Sequence, residues 1–506
     1  MSGFAVGYGN HDSNKIEIMM NMITHRGSYT SGVYRSGQVI MAQNYLRADG
    51  AVIGGDTIIP VRSLNNPNLM ICYDGQMGDW QALASQYNVT DGPFREERLI
   101  LELYEKHGKD MLKFLGDTIF ALVIYDGDDI FAARDLLGIK TLFYAIRDNA
   151  IYLTSELKSI TKVGEAICEF PNGHYMTGDG LLIQFAELPK NPPQETSASI
   201  EEISQTVRDI IERSFNNRIY FDVPTGGLLS GGMDSSVINY IGSKEYKKKY
   251  GADAKLKTFA LGVGESNDIH SARTMAKHID SEHHEVIIDL QQLLDVLPEV
   301  IYNLEHFDPS LVRSSASNYL ISKYAKENGM EILLSGEGGD EVFCGYKYLG
   351  EVPTEDLFVK QMECISFLHN NASLRLDRMN QCNSIRVVAP LISGELLNYS
   401  LTIPPEYKQY PNGEQKIEKW IFRKAYEGLL PDEIVWRSKQ EFSQGSGSAD
   451  VLPSYFSEQI SDAELAEAQA EHPIIRSKEE LHYFRLFTKY FGDGDAVKTV
   501  GQWLLL

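Results

Sequence analysis

Cysteine is scarce in this chain. Five residues in 506 (Cys72, Cys168, Cys344, Cys364 and Cys382) are scattered without a CxxC pair. That excludes a disulfide framework and fits a reducing cytosol. No apolar run approaches the roughly 20 residues of a membrane span. The opening segment, MSGFAVGYGNHDSNK, lacks a basic stretch followed by a long apolar one, so it is not read as a signal peptide. Positive charge is also short: 47 Lys+Arg against 70 Asp+Glu leave a net charge of −23. This balance opposes nonspecific binding to nucleic-acid backbones, but a small anionic ligand held by local groups stays possible. There is no GxxxxGK[ST] loop, no internal repeat and no low-complexity tract.

What is present suffices for large cores. Hydrophobic residues make up 43% and charged residues 23%, a globular composition. At roughly 100–200 residues per domain, the length suggests two to four domains. Residues 1–190 hold many short β-type runs (FAVGYG, QVIMAQNYL, LMICYDGQ, TIFALVIYDG, DIFAARD, AIYLTSE) separated by Gly, Asp and Asn turns. Helical spacing appears among them, in IEIMMNMITH and REERLILELYEKHG. The pattern predicts a mixed, largely antiparallel α/β domain. Residues 188–199, LPKNPPQETSAS, read as a linker. In residues 200–506 strands alternate with helices: a helix over 203–215, the strand GLLS, a helix from near Ser235, the strand KTFALGV (257–263), the helix SARTMAKHI and the strand HEVIID. Such alternation predicts a parallel, doubly wound sheet. A last helix is expected at 477–491. The basic run 244–257, KEYKKKYGADAKLK, reads as a solvated helix face and turn.

The segment Gly227–Ser236, GLLSGGMDSS, joins a strand to a helix. Gly231 and Gly232 let backbone amides approach a phosphate without Cβ interference. The helix N-terminus adds its positive end. Ser230, Ser235 and Ser236 can donate hydroxyl bonds, and Asp234 can hold a metal that bridges phosphate oxygens.

This loop resembles the pyrophosphate loop of the ATP-pyrophosphatase group. Ser335-Gly336-Glu337-Gly338-Gly339-Asp340-Glu341-Val342-Phe343-Cys344-Gly345-Tyr346 resembles the second signature of asparagine synthetases. His283-His284-Glu285, Asp377-Arg378 and Arg437-Ser438-Lys439-Gln440-Glu441-Phe442 match that family in order and spacing. In the N-terminal half, His25-Arg26-Gly27, Ala133–Lys140 (ARDLLGIK) and Ser155-Glu156-Leu157-Lys158 match its class II glutaminase-type domain. The resemblance implies an Ntn-hydrolase-like α/β sandwich over 1–190. It also implies a doubly wound, adenine nucleotide α-hydrolase-like ATP-pyrophosphatase domain with added helices over 200–506. The implied reaction is ATP-dependent adenylation of a carboxylate, aspartate by default, followed by amide formation with ammonia or another amine. By resemblance, Leu228 and Leu261 contact adenine, and Ser335 and Gly336 make further ATP contacts. Asp234 and Asp340 hold Mg²⁺ with phosphate oxygens. Lys439 stabilises leaving pyrophosphate and an oxyanion, and Glu337 accepts a proton from the amine. A cytoplasmic homodimer with neither a membrane nor a nucleic-acid partner is expected.

The front half departs from the family. Ser2 stands where the family has a nucleophilic cysteine exposed after removal of Met1, and a hydroxyl is a far poorer nucleophile than a thiol. Tyr45 replaces the arginine that grips the glutamine carboxylate. The family's Asn-Gly-Glu becomes Asp74-Gly75-Gln76, placing an anion where it would repel a developing oxyanion. The acidic residue that reads the glutamine amine falls near Glu96. A lost glutaminase is therefore expected. A second departure, Arg386, Val388 and Ser393 in place of charged family residues, is expected on the acceptor side of the synthetase pocket. Three alternatives compete. One is a β-lactam-synthetase-like ring closure, favoured by the lost cysteine and by Gly445-Ser446-Gly447-Ser448. The second is a non-catalytic scaffold. The third is tRNA modification, which the net charge opposes.

Overall fold

The computed structural model describes residues 2–46, 59–264, 266–440 and 442–501. Met1, Glu441 of the lysine motif and residues 502–506 lie outside them. Two compact units emerge: Met1–Pro189 with Asn216–Val223 and Asp493–Thr499, and Lys190–Phe215 with Pro224–Gly492 and Val500–Leu506.

The first unit holds two six-stranded sheets. Its strands are β1 (Ser2–Gly9), β2 (Thr30–Arg35), β3 (Val39–Tyr45), β4 (Val61–Arg62), β5 (Met70–Met77), β6 (Thr118–Tyr125), β7 (Ile130–Arg134), β8 (Phe143–Arg147), β9 (Ala150–Thr154), β10 (Ile167–Glu169), β11 (His174–Thr177) and β12 (Leu182–Gln184). One sheet runs β10-β8-β9-β1-β3-β2 and the other β12-β11-β7-β6-β5-β4. The pairings in both are antiparallel. Side chains alternate along each strand, which explains why β5 and β6 are apolar on both faces. Cys72 and Val123 meet Phe4, Met41 and Leu153 of the other sheet. Ile71, Tyr73, Leu122 and Ile124 face Leu99 and Leu103 of the helix Arg95–His107. The helix Ser13–Asn21 packs on β1 and β3. The layers are helix, sheet, sheet, helix, as the sandwich expectation requires, and each fully buried aliphatic side chain contributes about 1.5–3 kcal/mol.

The second unit is built on one parallel sheet: β13 (Thr225–Leu228), β14 (Lys257–Val263), β15 (Glu282–Ile288), β16 (Ile332–Leu334) and β17 (Arg386–Val388), in the order β15-β14-β13-β16-β17. The chain steps outward from β13 to β15, then crosses over to β16 and β17. The order therefore reverses between β13 and β16, and the strand ends there open a crevice. The helix after β13 spans Met233–Tyr250, so it starts two residues before the expected Ser235. The strand written GLLS ends at Leu228. The helix expected at 203–215 extends over Ile200–Arg218. The last expected helix is Lys478–Phe491, capped by Ser477, whose Oγ accepts from the Glu480 N–H at 3.1 Å. Lys248, Lys249 and Tyr250 of the basic run are exposed.

Candidate active site

The loops after β13 and β16 meet in the crevice of the second unit. Gly231 turns the first loop at a φ of 70°, and a Cβ there would lie 2.3 Å from the Ser271 backbone. The loop's hydroxyls brace it. The Gly232 N–H donates to Ser230 Oγ (3.2 Å), the Ser230 N–H to Ser235 Oγ (3.3 Å), and Ser235 Oγ to the Gly232 carbonyl (3.2 Å). The second loop lies against the helix start: a Cβ on Gly336 would sit 2.4 Å from the Ser235 nitrogen. Only glycine allows that approach. Gly232 is different, because a Cβ there would meet Ser230 Oγ alone, at 3.3 Å. The protein's own packing does not demand glycine at that point.

Charge converges beside these loops. Lys419 Nζ is 2.7 Å from Asp234 Oδ1 and 2.7 Å from Asp340 Oδ1. Lys439 Nζ is 2.5 Å from Asp340 Oδ2. Burial alone would raise the Asp340 carboxyl, but Lys419 and Lys439 outweigh it and hold it well below the usual carboxylate range. Burial likewise works against the Lys439 ammonium, yet Asp340 and Asp234 raise its pKa above the ordinary lysine value. Glu337 pairs with Arg375 at 2.5 Å. Arg437 pairs with Asp268 at 2.7 Å and donates to the Ser230 carbonyl at 3.3 Å, tying the segment before Lys439 to the first loop. The Lys439 N–H donates to Glu418 Oε1 at 3.0 Å. Among the described residues no cluster of three or more His, Cys, Asp or Glu is arranged for a metal. The two aspartates, converging on one ammonium, still supply the hard oxygen donors that Mg²⁺ takes alongside phosphate oxygens and water.

The structure brings most of the sequence-derived synthetase residues to this cleft. Leu228, Ser230, Gly232, Asp234 and Ser235 line it from the first loop and strand, and Leu261 from the end of β14. Ser335, Gly336, Glu337 and Asp340 line it from the second loop, and Lys439 from its own segment. Gly231 shapes the loop without lining the cleft. Ser236 is a correction: it is 0% exposed and does not line the cleft, because each helical step turns about 100° and carries it away from the face of Asp234 and Ser235. The segment 386–393 is a second correction. Arg386 and Val388 lie on the edge strand β17, and Ser393 caps the helix Gly394–Thr402, its Oγ accepting from the Leu396 N–H at 3.3 Å. None of the three lines the cleft. The Gly445–Ser448 stretch is explained by packing: Ser446 and Ser448 are 0% exposed, and a Cβ on Gly445 would lie 2.4 Å from Asp268. Asp377-Arg378 are structural as well. Arg378 forms a buried pair with Glu305 at 2.8 Å. Sequence reasoning missed Lys419, Arg375 and Asn318, which also line the cleft. Lys419 is 185 residues from Asp234, and no local spacing marks it.

In the first unit the Ser2 position is buried. Ser2 is 0% exposed. Its Oγ donates to the Tyr73 carbonyl at 2.5 Å and accepts from Gln43 Nε2 at 2.8 Å. Asp74 is not a lone anion facing a substrate, as the sequence suggested. Its Oδ2 pairs with Arg26 at 2.7 Å, and its Oδ1 accepts from the Ser2 N–H at 3.0 Å. Arg26 also pairs with Glu156 at 2.8 Å, and Lys158 with Glu156. Tyr45 packs edge-on to Phe94 and donates from its hydroxyl to Glu97 at 3.1 Å. Glu96 accepts from the Tyr73 hydroxyl (2.9 Å) and the Met77 N–H (3.0 Å). Gly75 and Gln76 lie within β5, with Gln76 3% exposed.

Comparison with known proteins matches both halves. A family described as asparagine synthase matches residues 206–363 and 353–484, and one described as glutamine amidotransferase domain matches residues 1–202. The chain is 30% identical over 503 residues to asparagine synthetase B [glutamine-hydrolyzing] of Escherichia coli, covering 95% of this chain and 89% of that protein. It is 31% identical over 527 residues to asparagine synthetase [glutamine-hydrolyzing] 1 of Saccharomyces cerevisiae, covering 95% and 91%. It is 30% identical over 508 residues to asparagine synthetase [glutamine-hydrolyzing] 3 of Arabidopsis thaliana, covering 96% and 86%.

Proposed function

The chain belongs to the asparagine synthetase family, and on that premise we propose that it is an ATP-dependent amide ligase working on a carboxylic acid, aspartate by default, with ammonia or another amine as nitrogen donor. The observation that carries this reading is the convergence of Asp234 and Asp340 on Lys419 beside a phosphate-type loop at the sheet's switch point.

In the proposed reaction the acid's carboxylate attacks the α-phosphorus of ATP. Pyrophosphate leaves and an acyl-adenylate forms. Ammonia then adds to the acyl carbon, gives up a proton and expels AMP. The open backbone at Gly232 and the first turn of the helix Met233–Tyr250 would hold the phosphates, with Ser230 and Ser235 as hydroxyl donors. Lys439 would meet the negative charge of departing pyrophosphate, while Lys419, 1% exposed, holds Asp234 and Asp340 together. Mg²⁺, when bound by Asp234 and Asp340, would neutralise phosphate charge. Arg375 would position Glu337, the proposed acceptor of the amine's proton. Glutamine hydrolysis is proposed to be lost, because the Ser2 proton is committed to a carbonyl and not to a base. A scaffold role would leave the convergent charges of the cleft without a task. Cysteine use supports a cytoplasmic setting, and a homodimer is the expected assembly, to be read by light scattering.

Product analysis tests the proposal. With ATP, magnesium, aspartate and ammonium, the expected products are AMP, pyrophosphate and asparagine. Replacing ammonium with glutamine should yield no asparagine. Release of ADP and phosphate instead would overturn the adenylation route.

A further inference from the structure

The helix Pro309–Glu327 sets Ser310, Ser314 and Asn318 at four-residue spacing on one face, and that face lines the cleft. The helix packs against β14 and the helix Ala372–Gln381. The neighbouring lining is apolar: Phe259 and Leu261 from β14, Ile321 from the same helix and Leu376 from the helix Ala372–Gln381. Within this slot Asn318 is 3% exposed, and its Nδ2 has no hydrogen-bond partner among the described residues. Ser314 is spent differently, its hydroxyl bonding the carbonyls of Ser310 and Leu311. A buried amide donor left unpaired is a cost to the fold, one that a ligand supplying the acceptor would relieve; of the unpartnered polar atoms on this helix, those of Ser315, Ser317, Asn318 and Ser322, only the Asn318 amide belongs to a residue lining the cleft.

We propose that Asn318 sets nucleobase selectivity by donating from Nδ2 to a ring nitrogen of adenine. The inference rests on the nucleotide reading of the cleft. An apolar slot with one convergent polar group suits a flat heteroaromatic ring, fixing its orientation through a single bond. A carboxylate suits the slot poorly, since burial of an anion demands a paired charge. The cations lining the cleft are already paired: Lys419 and Lys439 with Asp234 and Asp340, Arg375 with Glu337, Arg437 with Asp268 and Arg423 with Glu418.

The test measures ATP affinity calorimetrically on the full chain, wild type against Asn318→Leu and Asn318→Ala, together with 1-deaza-, 3-deaza- and 7-deaza-ATP. Both variants should bind ATP about tenfold more weakly. One deaza analogue should cost wild type a similar factor, while Asn318→Leu binds that analogue and ATP equally. Without nucleotide, Asn318→Leu should melt at or above the wild-type temperature, because the unpaired donor is gone. Unchanged ATP affinity in both variants would overturn the proposal, as would indifference of wild type to all three analogues. A clear loss of melting temperature in both variants would assign Asn318 a structural role and also overturn it. Wild type that binds no ATP would overturn the nucleotide reading itself, a result distinct from variants that match a binding wild type.

Discussion

The two units each carry a cluster of interlocked charges, and the clusters differ in their access to solvent. In the first unit Arg26, Asp74, Lys140, Glu156 and Lys158 are each at most 1% exposed. In the second, the side chains of Asp234, Asp340 and Lys439 keep 16%, 17% and 20% exposure at the wall of a cleft. Charges sealed from solvent hold structure, because nothing from outside can exchange for their partners. Charges left at a cleft wall can trade a protein partner for a ligand. The same family frame thus holds one charge cluster sealed around Ser2 and one at the wall of a cleft.

The largest expected effect would break the sealed cluster. Arg26→Ala removes a cation from between Asp74 and Glu156 and should cost about 3–5 kcal/mol of stability, read by denaturant unfolding; a loss below about 1 kcal/mol would show that the cluster does not hold the unit together. Lys439→Ala should do the reverse. Turnover should drop at least about tenfold, a ΔΔG‡ of about 1.4 kcal/mol or more, while the unfolding curve stays close to wild type. Near-normal turnover would remove Lys439 from the mechanism.

A pH experiment sharpens the contrast. Burial, then the neighbouring Glu96, push the Glu97 carboxyl from 4.5 up to about 7. The folded state therefore resists ionisation that the unfolded chain accepts. Stability should fall as pH rises from 4.5 towards 7 and then level off. Glu97→Gln should flatten that slope, and an unchanged slope would exclude Glu97 as its source. Asp340 has the opposite sign: its depressed pKa adds stability above the ordinary carboxylate range, lost as pH falls below it. The smallest expected effect is that of Ser2→Ala, which should leave ammonia-dependent synthesis unchanged. A selective loss of glutamine-dependent synthesis would show Ser2 to be a working nucleophile.

Much of this was legible in the chain because it is local. The strand-loop-helix spacing around Ser230–Ser235 and the alternation of strands and helices predict the phosphate loop and the parallel sheet. Periodicity predicts the helices but sets their ends only within about three residues. Lys419, Arg375 and Asn318 were not legible. Each reaches the cleft by tertiary packing from a distant element, so no spacing records the meeting. The Asp74 substitution was visible, but its consequence was not. Arg26, 48 residues away, pairs with it and turns an expected repulsion into a buried pair.

The central claim is that the cleft between the β13 and β16 loops binds ATP and transfers AMP to an organic acid. Acid-dependent exchange of labelled pyrophosphate into ATP, run over a panel of carboxylic acids, measures that step directly. The account predicts exchange with at least one acid, aspartate first, abolished by Asp234→Asn. No exchange with any acid, from a folded protein supplied with magnesium, would contradict it.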